Sequence, residues 1–310
     1  MVNYFKELSL AVSLARKASE ITEWFRTKHS SSFIKKDDSP VTLADFASQI
    51  FIISEIRKKF PEDQIIAEEE SSNFLNSNAK DLLKRCYKSL RINIEKSLKE
   101  SLDYRGPNSN RQWTVDPIDG TKGFQKNLAY AIGIGLMVQF EPMVSAIGVP
   151  NYKNTSLSIF SAEKNKGAKV SHGDQNFTKI RVSEIKELKT SRMCYSLHYN
   201  KPWVLDFAQS LGITNFIAMD SMAKLCMVAE GSAEIYVKPM NIQRSFTWDF
   251  LPGELLVKEA GGVITDINGN LIKYKNDKCK VTAPGLIASN GINHEDLIVA
   301  LKSNEVLKNS

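Results

Sequence analysis

Apolar residues recur at helical spacing from the start of the chain. Tyr4, Phe5, Leu8, Ala11, Val12 and Ala15 line one face and predict an amphipathic helix over residues 4–28. A polar segment, Lys35-Lys36-Asp37-Asp38-Ser39-Pro40, separates it from a second predicted helix, about Thr42 to Phe60, which Pro61 stops. Gln64-Ile65-Ile66-Ala67 reads as a short strand running into the acidic triplet Glu68-Glu69-Glu70. Residues 71–110 are polar at both ends, with a basic helix expected from about Ala79 to Leu102. They read as a surface insertion whose lysines solvate a helix face.

From Gln112 the pattern changes to strands and turns. Strands are expected at Gln112–Val115, Ala129–Gln139, Val144–Val149, Ser156–Ser161 and Lys179–Ser183, in the style of an antiparallel sheet. Beyond residue 184, strands and helices alternate. Helices are expected near 202–211, 221–231, 249–260 and 294–302, and strands near 213–219, 233–238, 262–266 and 285–289. The fold class is therefore α/β, an α+β half over residues 1–184 followed by an α/β half over 185–310. The chain shows no internal repeat and no low-complexity segment.

Composition narrows the field. With 42% hydrophobic and 25% charged residues over 310 positions, the chain is that of a soluble globular protein able to bury a sizeable core. The net charge of +6 favours an anionic ligand. The basic residues are spread along the chain and mixed with acids, so no nucleic-acid partner is expected. Cys86, Cys194, Cys226 and Cys279 form no CxxC pair, which argues against a disulfide framework or a zinc ribbon and fits a reducing compartment. The first residues lack a secretory pattern, and the longest apolar stretch, Ala129 to Val138, is too short to span a bilayer. A cytoplasmic protein with no membrane partner is expected.

The most informative stretch is Trp113-Thr114-Val115-Asp116-Pro117-Ile118-Asp119-Gly120-Thr121-Lys122-Gly123-Phe124. A strand ends in Asp116, Pro117 turns the chain, Asp119 follows, and Gly120-Thr121 are placed to open a helix. Two carboxylates on one tight turn can bridge hard cations such as Mg²⁺. Exposed N–H groups at a helix start suit a phosphate oxygen. Together they suit metal-assisted phosphate hydrolysis. Read singly, the other acids are ambiguous. Glu68 and Glu69 end a strand at a sheet edge or belong to a solvated acidic run. Asp249 after Trp248 reads as a helix N-cap, and Asp37 reads as loop surface charge.

Rival chemistries fit worse. The chain has no HExxH, GxSxG, Walker A loop or post-strand GxGxxG, and its four histidines lie far apart in sequence. The spacing of Asp116 and Asp119 is also wrong for an aspartate-nucleophile phosphatase, which needs its two aspartates two positions apart.

Asp116-Pro117-Ile118-Asp119-Gly120-Thr121 with Trp248-Asp249 resembles the inositol monophosphatase superfamily of magnesium-dependent, lithium-sensitive phosphatases. Lys122-Gly123-Phe124 is similar to the 3′(2′),5′-bisphosphate nucleotidases within it. Lys35 to Thr42, Ile65 to Glu69, Asp220-Ser221-Met222-Ala223-Lys224 and Glu259-Ala260-Gly261-Gly262 extend the match over essentially the whole chain. The resemblance implies a layered α/β/α/β/α sandwich with its site between the halves, and about two or three Mg²⁺ ions per site. It implies that Glu68, Asp116 and the Ile118 carbonyl hold one ion, and Asp116, Asp119 and Asp249 a second. It implies that Asp37 and Thr121 orient and deprotonate the attacking water. Gly120, Thr121, His198, Ser221, Lys224, Lys238 and Asp249 would meet the substrate, expected to be adenosine 3′,5′-bisphosphate, with Ser221 and Lys224 on the nucleoside and 5′-phosphate side. Ala67 departs from the usual glycine before the acidic pair. A monomer is expected. The alternatives are an inositol phosphate phosphatase of the same fold and a non-catalytic nucleotide sensor.

Overall fold

Helix α1 (Phe5–Lys28) buries Leu14, Ala18, Ile21 and Phe25 along one stripe. Helix α2 (Leu43–Lys59) starts at Thr42. The Thr42 hydroxyl accepts from the Ala44 N–H at 3.2 Å, and Asp45 accepts from the Thr42 N–H at 2.8 Å. This reciprocal cap satisfies donors that the first turn would otherwise orphan. Both helices form where the apolar spacing predicts them. The computed structural model describes residues 3–28, 32–34, 40–71, 77–198, 202–239, 245–274, 279–281 and 283–303. Among these, no helix is long and apolar enough to cross a membrane.

Strands β1 (Ser32–Ile34) and β2 (Pro40–Thr42) form a small antiparallel ladder before α2. The larger sheet runs in chain order through seven strands: β3 (Gln64–Ala67), β4 (Arg111–Asp119), β5 (Ala131–Val138), β6 (Glu141–Pro150), β7 (Leu157–Glu163), β8 (Ala168–His172) and β9 (Thr178–Ile180). Only β3 runs parallel to its neighbour; the rest pair antiparallel.

A five-stranded mixed sheet follows. It comprises β10 (Arg192–Tyr195), β11 (Asn215–Ala218), β12 (Ile235–Pro239), β13 (Val263–Thr265) and β14 (Gly285–Ser289), in the order β11-β10-β12-β14-β13. The helices are α3 (Ser77–Ser89), α4 (Leu98–Asp103), α5 (Thr121–Gln125), α6 (Pro202–Ser210), α7 (Ala223–Ala229), α8 (Thr247–Glu259) and α9 (His294–Ser303).

The layers follow from strand alternation. Trp113, Val115, Ile132 and Ile134 turn toward α1 and α2 on one face of the larger sheet. Its other face shares one apolar cluster with α7, α8 and the inner face of the smaller sheet, through Ile147, Val149, Leu225, Leu251, Tyr236 and Leu286. The outer face of the smaller sheet, Met193, Val237 and Ile287, packs against Phe207 of α6 and Leu297 of α9. The result is the α/β/α/β/α sandwich that the resemblance implies.

Some expectations change. The single basic helix near 79–102 is two helices. Arg91 turns left-handed at φ 55° and the Ile92 N–H returns to the Tyr87 carbonyl at 2.8 Å, which ends the first helix. Ser97 then caps α4 by accepting from the Glu100 N–H at 3.2 Å. Lys80, Lys84 and Lys88 face outward as expected, but Leu83, Cys86, Tyr87 and Leu102 enter the core, so this segment does more than cover the surface. Strands β1, β2, β8 and β10 are absent from the expected set. Strand β4 also runs on through Asp119 instead of ending near Val115.

Candidate active site

Strand β4 carries Trp113 and Val115 into the core with no exposure and then presents Asp116, 2% exposed. Its ladder with β5 pairs Asp116 with Gly133 and Asp119 with Ala131, with an irregularity between them. Pro117 occupies that irregular stretch, where a missing N–H costs the ladder nothing. The bulge therefore brings two aspartates of one strand to the same place. The Ile118 N–H donates to Asp116 Oδ1 at 3.1 Å, and the Thr121 hydroxyl donates to the Ile118 carbonyl at 3.3 Å.

Gly120 ends the turn at φ +88°, a conformation that favours glycine. A Cβ there would stand 3.1 Å from the Ser221 Cβ, so the position is also one of close approach. Helix α5 begins directly after it, with the Phe124 N–H bonded to the Gly120 carbonyl at 3.0 Å.

The third carboxylate comes from the second half of the chain. Phe246, not Asp249, is the N-cap of α8; Asp249 is the third residue of the helix and accepts from the Phe246 N–H at 3.3 Å. From that first turn Asp249 reaches Asp116 and Asp119, and one carboxylate oxygen from each lies within 4.8 Å of the others. Glu68, half-buried just beyond β3, is tied by its N–H to the Val115 carbonyl at 3.3 Å and hydrogen-bonds to Asp116.

Such crowding has an electrostatic signature. Burial, then the charges of Glu68, Asp119 and Asp249, push the Asp116 carboxyl well above the usual carboxylate range. Burial also pushes Asp249 up to about 7, with Asp119 and Glu68 adding to the rise and Lys238 of β12 opposing it. The donor set is all hard oxygen, and its members repel one another unless a cation lies among them. These residues fit a divalent metal such as Mg²⁺.

The other residues singled out in the sequence lie around this cluster. Ser221, at φ 63°, sits against Gly120, and its hydroxyl donates to the Asp220 carbonyl at 2.5 Å and accepts from the Ala223 N–H at 3.2 Å. The next N–H, that of Met222, donates to Asp119. Lys224 is only 3% exposed; it donates to the Met219 carbonyl at 3.0 Å and lies 5.1 Å above the Tyr236 ring. Burial pulls its ammonium down to about 8 against the attraction of Asp119. Lys238 is half-buried on β12. His198 Nδ1 lies 2.8 Å from Asp220 Oδ2. Asp37 falls outside the described residues. Sequence reasoning gave no role to Asp220 or to the Met222 N–H. The only signal for either was membership of the segment Asp220 to Lys224.

Residues 6–305 match the inositol monophosphatase family. A protein named 3′(2′),5′-bisphosphate nucleotidase from Schizosaccharomyces pombe is 32% identical, the match covering 93% of this chain and 92% of the relative. A protein of the same name from Dictyostelium discoideum is 31% identical, over 86% of this chain and 87% of the relative. Among solved structures, the Thermotoga maritima IMPase superposes with a TM-score of 0.71 at 21% identity, covering 98% of this chain and 99% of its own. The inositol monophosphatase of Anabaena gives 0.67 at 22% identity over 97% of each chain. The match over nearly its whole length, joined to the Asp116, Asp119 and Asp249 cluster, makes this chain a member of the inositol monophosphatase family.

Proposed function

We propose that this protein is a Mg²⁺-dependent, lithium-sensitive phosphatase that converts adenosine 3′,5′-bisphosphate to AMP and phosphate. The observation that carries the reading is the convergence of Asp116, Asp119 and Asp249, oxygens within 4.8 Å, beside a glycine turn that opens a helix. The bisphosphate nucleotidase relatives support the choice of substrate. Glu68, Asp116 and the Ile118 carbonyl would hold one cation, and Asp116, Asp119 and Asp249 another. Mg²⁺, when bound, supplies Lewis acidity toward the phosphoryl oxygens and lowers the pKa of a bound water.

The chain's own groups do the rest. Thr121, whose hydroxyl already meets the Ile118 carbonyl at 3.3 Å, pairs with Asp37 to orient the attacking water and take its proton. Gly120 and the first turn of α5 meet the phosphate through the N–H groups where the helix opens. Ser221 and Lys224 meet the nucleoside portion and its 5′-phosphate, His198 meets the substrate, and Lys238 contacts a phosphate. A cytoplasmic, monomeric enzyme completes the reading.

One observation favours a second reading, an inositol phosphate phosphatase. Lys224 is buried and its ammonium already engaged by the Met219 carbonyl, so its reach toward a distant 5′-phosphate is reduced. Phosphate release from adenosine 3′,5′-bisphosphate, inositol 1-phosphate and inositol 1,4-bisphosphate, measured side by side, decides between them. The nucleotide should be fastest, with EDTA abolishing release and LiCl inhibiting far more than NaCl at matched ionic strength. Faster release from either inositol phosphate would move the assignment to the second reading. Full activity in EDTA would remove the metal from the mechanism.

A further inference from the structure

Asp220 stands where the two halves meet and has no part in the cation cluster. It lies between β11 and α7, 3% exposed, immediately before Ser221, the residue in close approach to Gly120. Two positions later the Met222 N–H donates to Asp119. A Cβ on Gly123 of α5 would stand 3.1 Å from Asp220 Oδ2, so the carboxylate lies against α5 where only a glycine leaves room. One of its oxygens accepts from the Ser196 hydroxyl at 3.3 Å. The other is buried, lies 2.8 Å from His198 Nδ1 and has no aligned hydrogen-bond donor among the described residues; the imidazole side chain is 11% exposed and Asp220's 4%.

A buried carboxylate is costly unless something donates to it. A neutral imidazole carries one N–H, and an ionised carboxylate is an acceptor only. At 2.8 Å an unprotonated Nδ1 would set its lone pair against the carboxylate oxygen, whereas a proton on Nδ1 satisfies that oxygen once the ring turns its N–H onto it, and Nε2 is then left to act elsewhere. In water the opposite tautomer is the commoner one, so the carboxylate imposes a choice on the ring.

We propose that Asp220 is a positioning residue: it fixes the ring orientation and the Nδ1–H tautomer of His198 and so presents Nε2 to the substrate. The proposal deepens the reading in which His198 meets the substrate, and rests on it. It also gives the segment Asp220 to Met222 a joint task. Asp220 sets the imidazole and the Met222 N–H steadies Asp119, so the substrate side and the cation side are held by one short turn.

The test combines spectroscopy with a double-mutant cycle on the full chain. With ¹⁵N-labelled histidine, long-range ¹H–¹⁵N spectra of the metal-free protein should show the Nδ1–H tautomer for His198, assigned by its loss in His198→Ala. Asp220→Ala should shift the ring toward Nε2–H. On adenosine 3′,5′-bisphosphate, His198→Ala and Asp220→Asn should each raise KM about tenfold with a smaller change in kcat, the low end for a hydrogen bond to a charged group. If Asp220 acts through His198, the double variant should be no worse than His198→Ala alone. Multiplied losses in the double variant, or a wild-type Nε2–H tautomer, would overturn the proposal. Thermal melts of each variant separate loss of fold from loss of position. If His198→Ala leaves KM unchanged, the substrate-contact reading fails by itself. The tautomer of His198 with and without the Asp220 carboxylate still decides whether that carboxylate sets the ring.

Discussion

A single carboxylate in this site has two opposed effects. Asp119 accepts from the Met222 N–H and stands within 4.8 Å of oxygens from Asp116 and Asp249, so under the proposed function it helps hold a cation while crowding its neighbours when no cation is bound. Asp119→Asn keeps the shape and an acceptor for Met222 but removes the charge. Turnover should fall by about two orders of magnitude or more, as expected when a metal-holding charge is lost, while the metal-free melting temperature stays level or rises. Near-normal turnover in a purified, folded variant would mean that the cation does not depend on Asp119. Asp116 and Asp119 were legible in the sequence because one local turn holds both, and the turn's composition states its chemistry. Asp249 was not legible alone. A helix-opening aspartate looks the same whether it caps or coordinates, and here it does accept a capping bond, from the Phe246 N–H. Asp220 was still less visible, since its meaning lies in a contact with His198 that no spacing rule encodes.

At the scale of elements, glycines decide how closely α7 and α8 approach the larger sheet and each other. A Cβ at Gly135 of β5 would fall 2.3 Å from Leu251, one at Gly133 would fall 2.6 Å from Met222, and one at Gly253 of α8 would fall 2.1 Å from Leu225. Gly253 is a poor helix former in the middle of a helix, and Pro252 beside it lacks an N–H, so local propensity opposes the element that tertiary packing imposes. Pro252 is nevertheless tied into the structure, its carbonyl accepting from the Ser145 hydroxyl at 2.7 Å. Gly253→Ala should destabilise the protein by about 1–3 kcal/mol, the usual cost of overpacking, because the added methyl would meet Leu225 Cδ1 at 2.1 Å, Cγ at 3.1 Å and Cβ at 3.2 Å. Leu225→Ala introduced into that background should recover part of the loss, and melting temperatures of the two single variants and the double would show it. Strictly additive destabilisation would mean the two positions do not press on each other. Helices α1, α2 and α8 could be placed from sequence because apolar spacing and stop signals survive burial. The split between α3 and α4 could not, because a left-handed Arg91 looks like any other basic residue in a basic stretch. Likewise, β8 (Ala168-Lys169-Val170-Ser171-His172) and β10 (Arg192-Met193-Cys194-Tyr195) lack the run of β-branched residues that marks β3 and β13.

In the molecule as a whole, the larger sheet brings Asp116 and Asp119 to a place that Asp249 reaches from α8, so cation, charge and fold are linked. The layered architecture could be anticipated from the change in pattern near residue 184 and from the resemblance. The shared apolar layer between the sheets could not, since it depends on which side chains meet across the layers. That meeting point controls how stability responds to pH. The Asp249 carboxyl, ordinarily near 3.8, is pushed up to about 7, by burial first and then by Asp119 and Glu68. Between those values the folded, metal-free protein keeps a proton that the unfolded chain has released. Its stabilising contribution is therefore present at low pH and is lost as pH rises through about 7. Mg²⁺ needs the carboxylate without its proton, so binding must displace that proton at pH 6 but not at pH 8. Because a ligand that binds only the folded state stabilises it by mass action, the rise in melting temperature on adding Mg²⁺ should be clearly larger at pH 8 than at pH 6. Melts at both pH values, with and without Mg²⁺ and with NaCl matching ionic strength, measure this without reference to catalysis. Asp249→Asn cannot titrate at that position and should flatten the pH dependence of the Mg²⁺ effect. If wild-type protein gains equally from Mg²⁺ at both pH values, the raised carboxyl at Asp249 is not what governs cation binding.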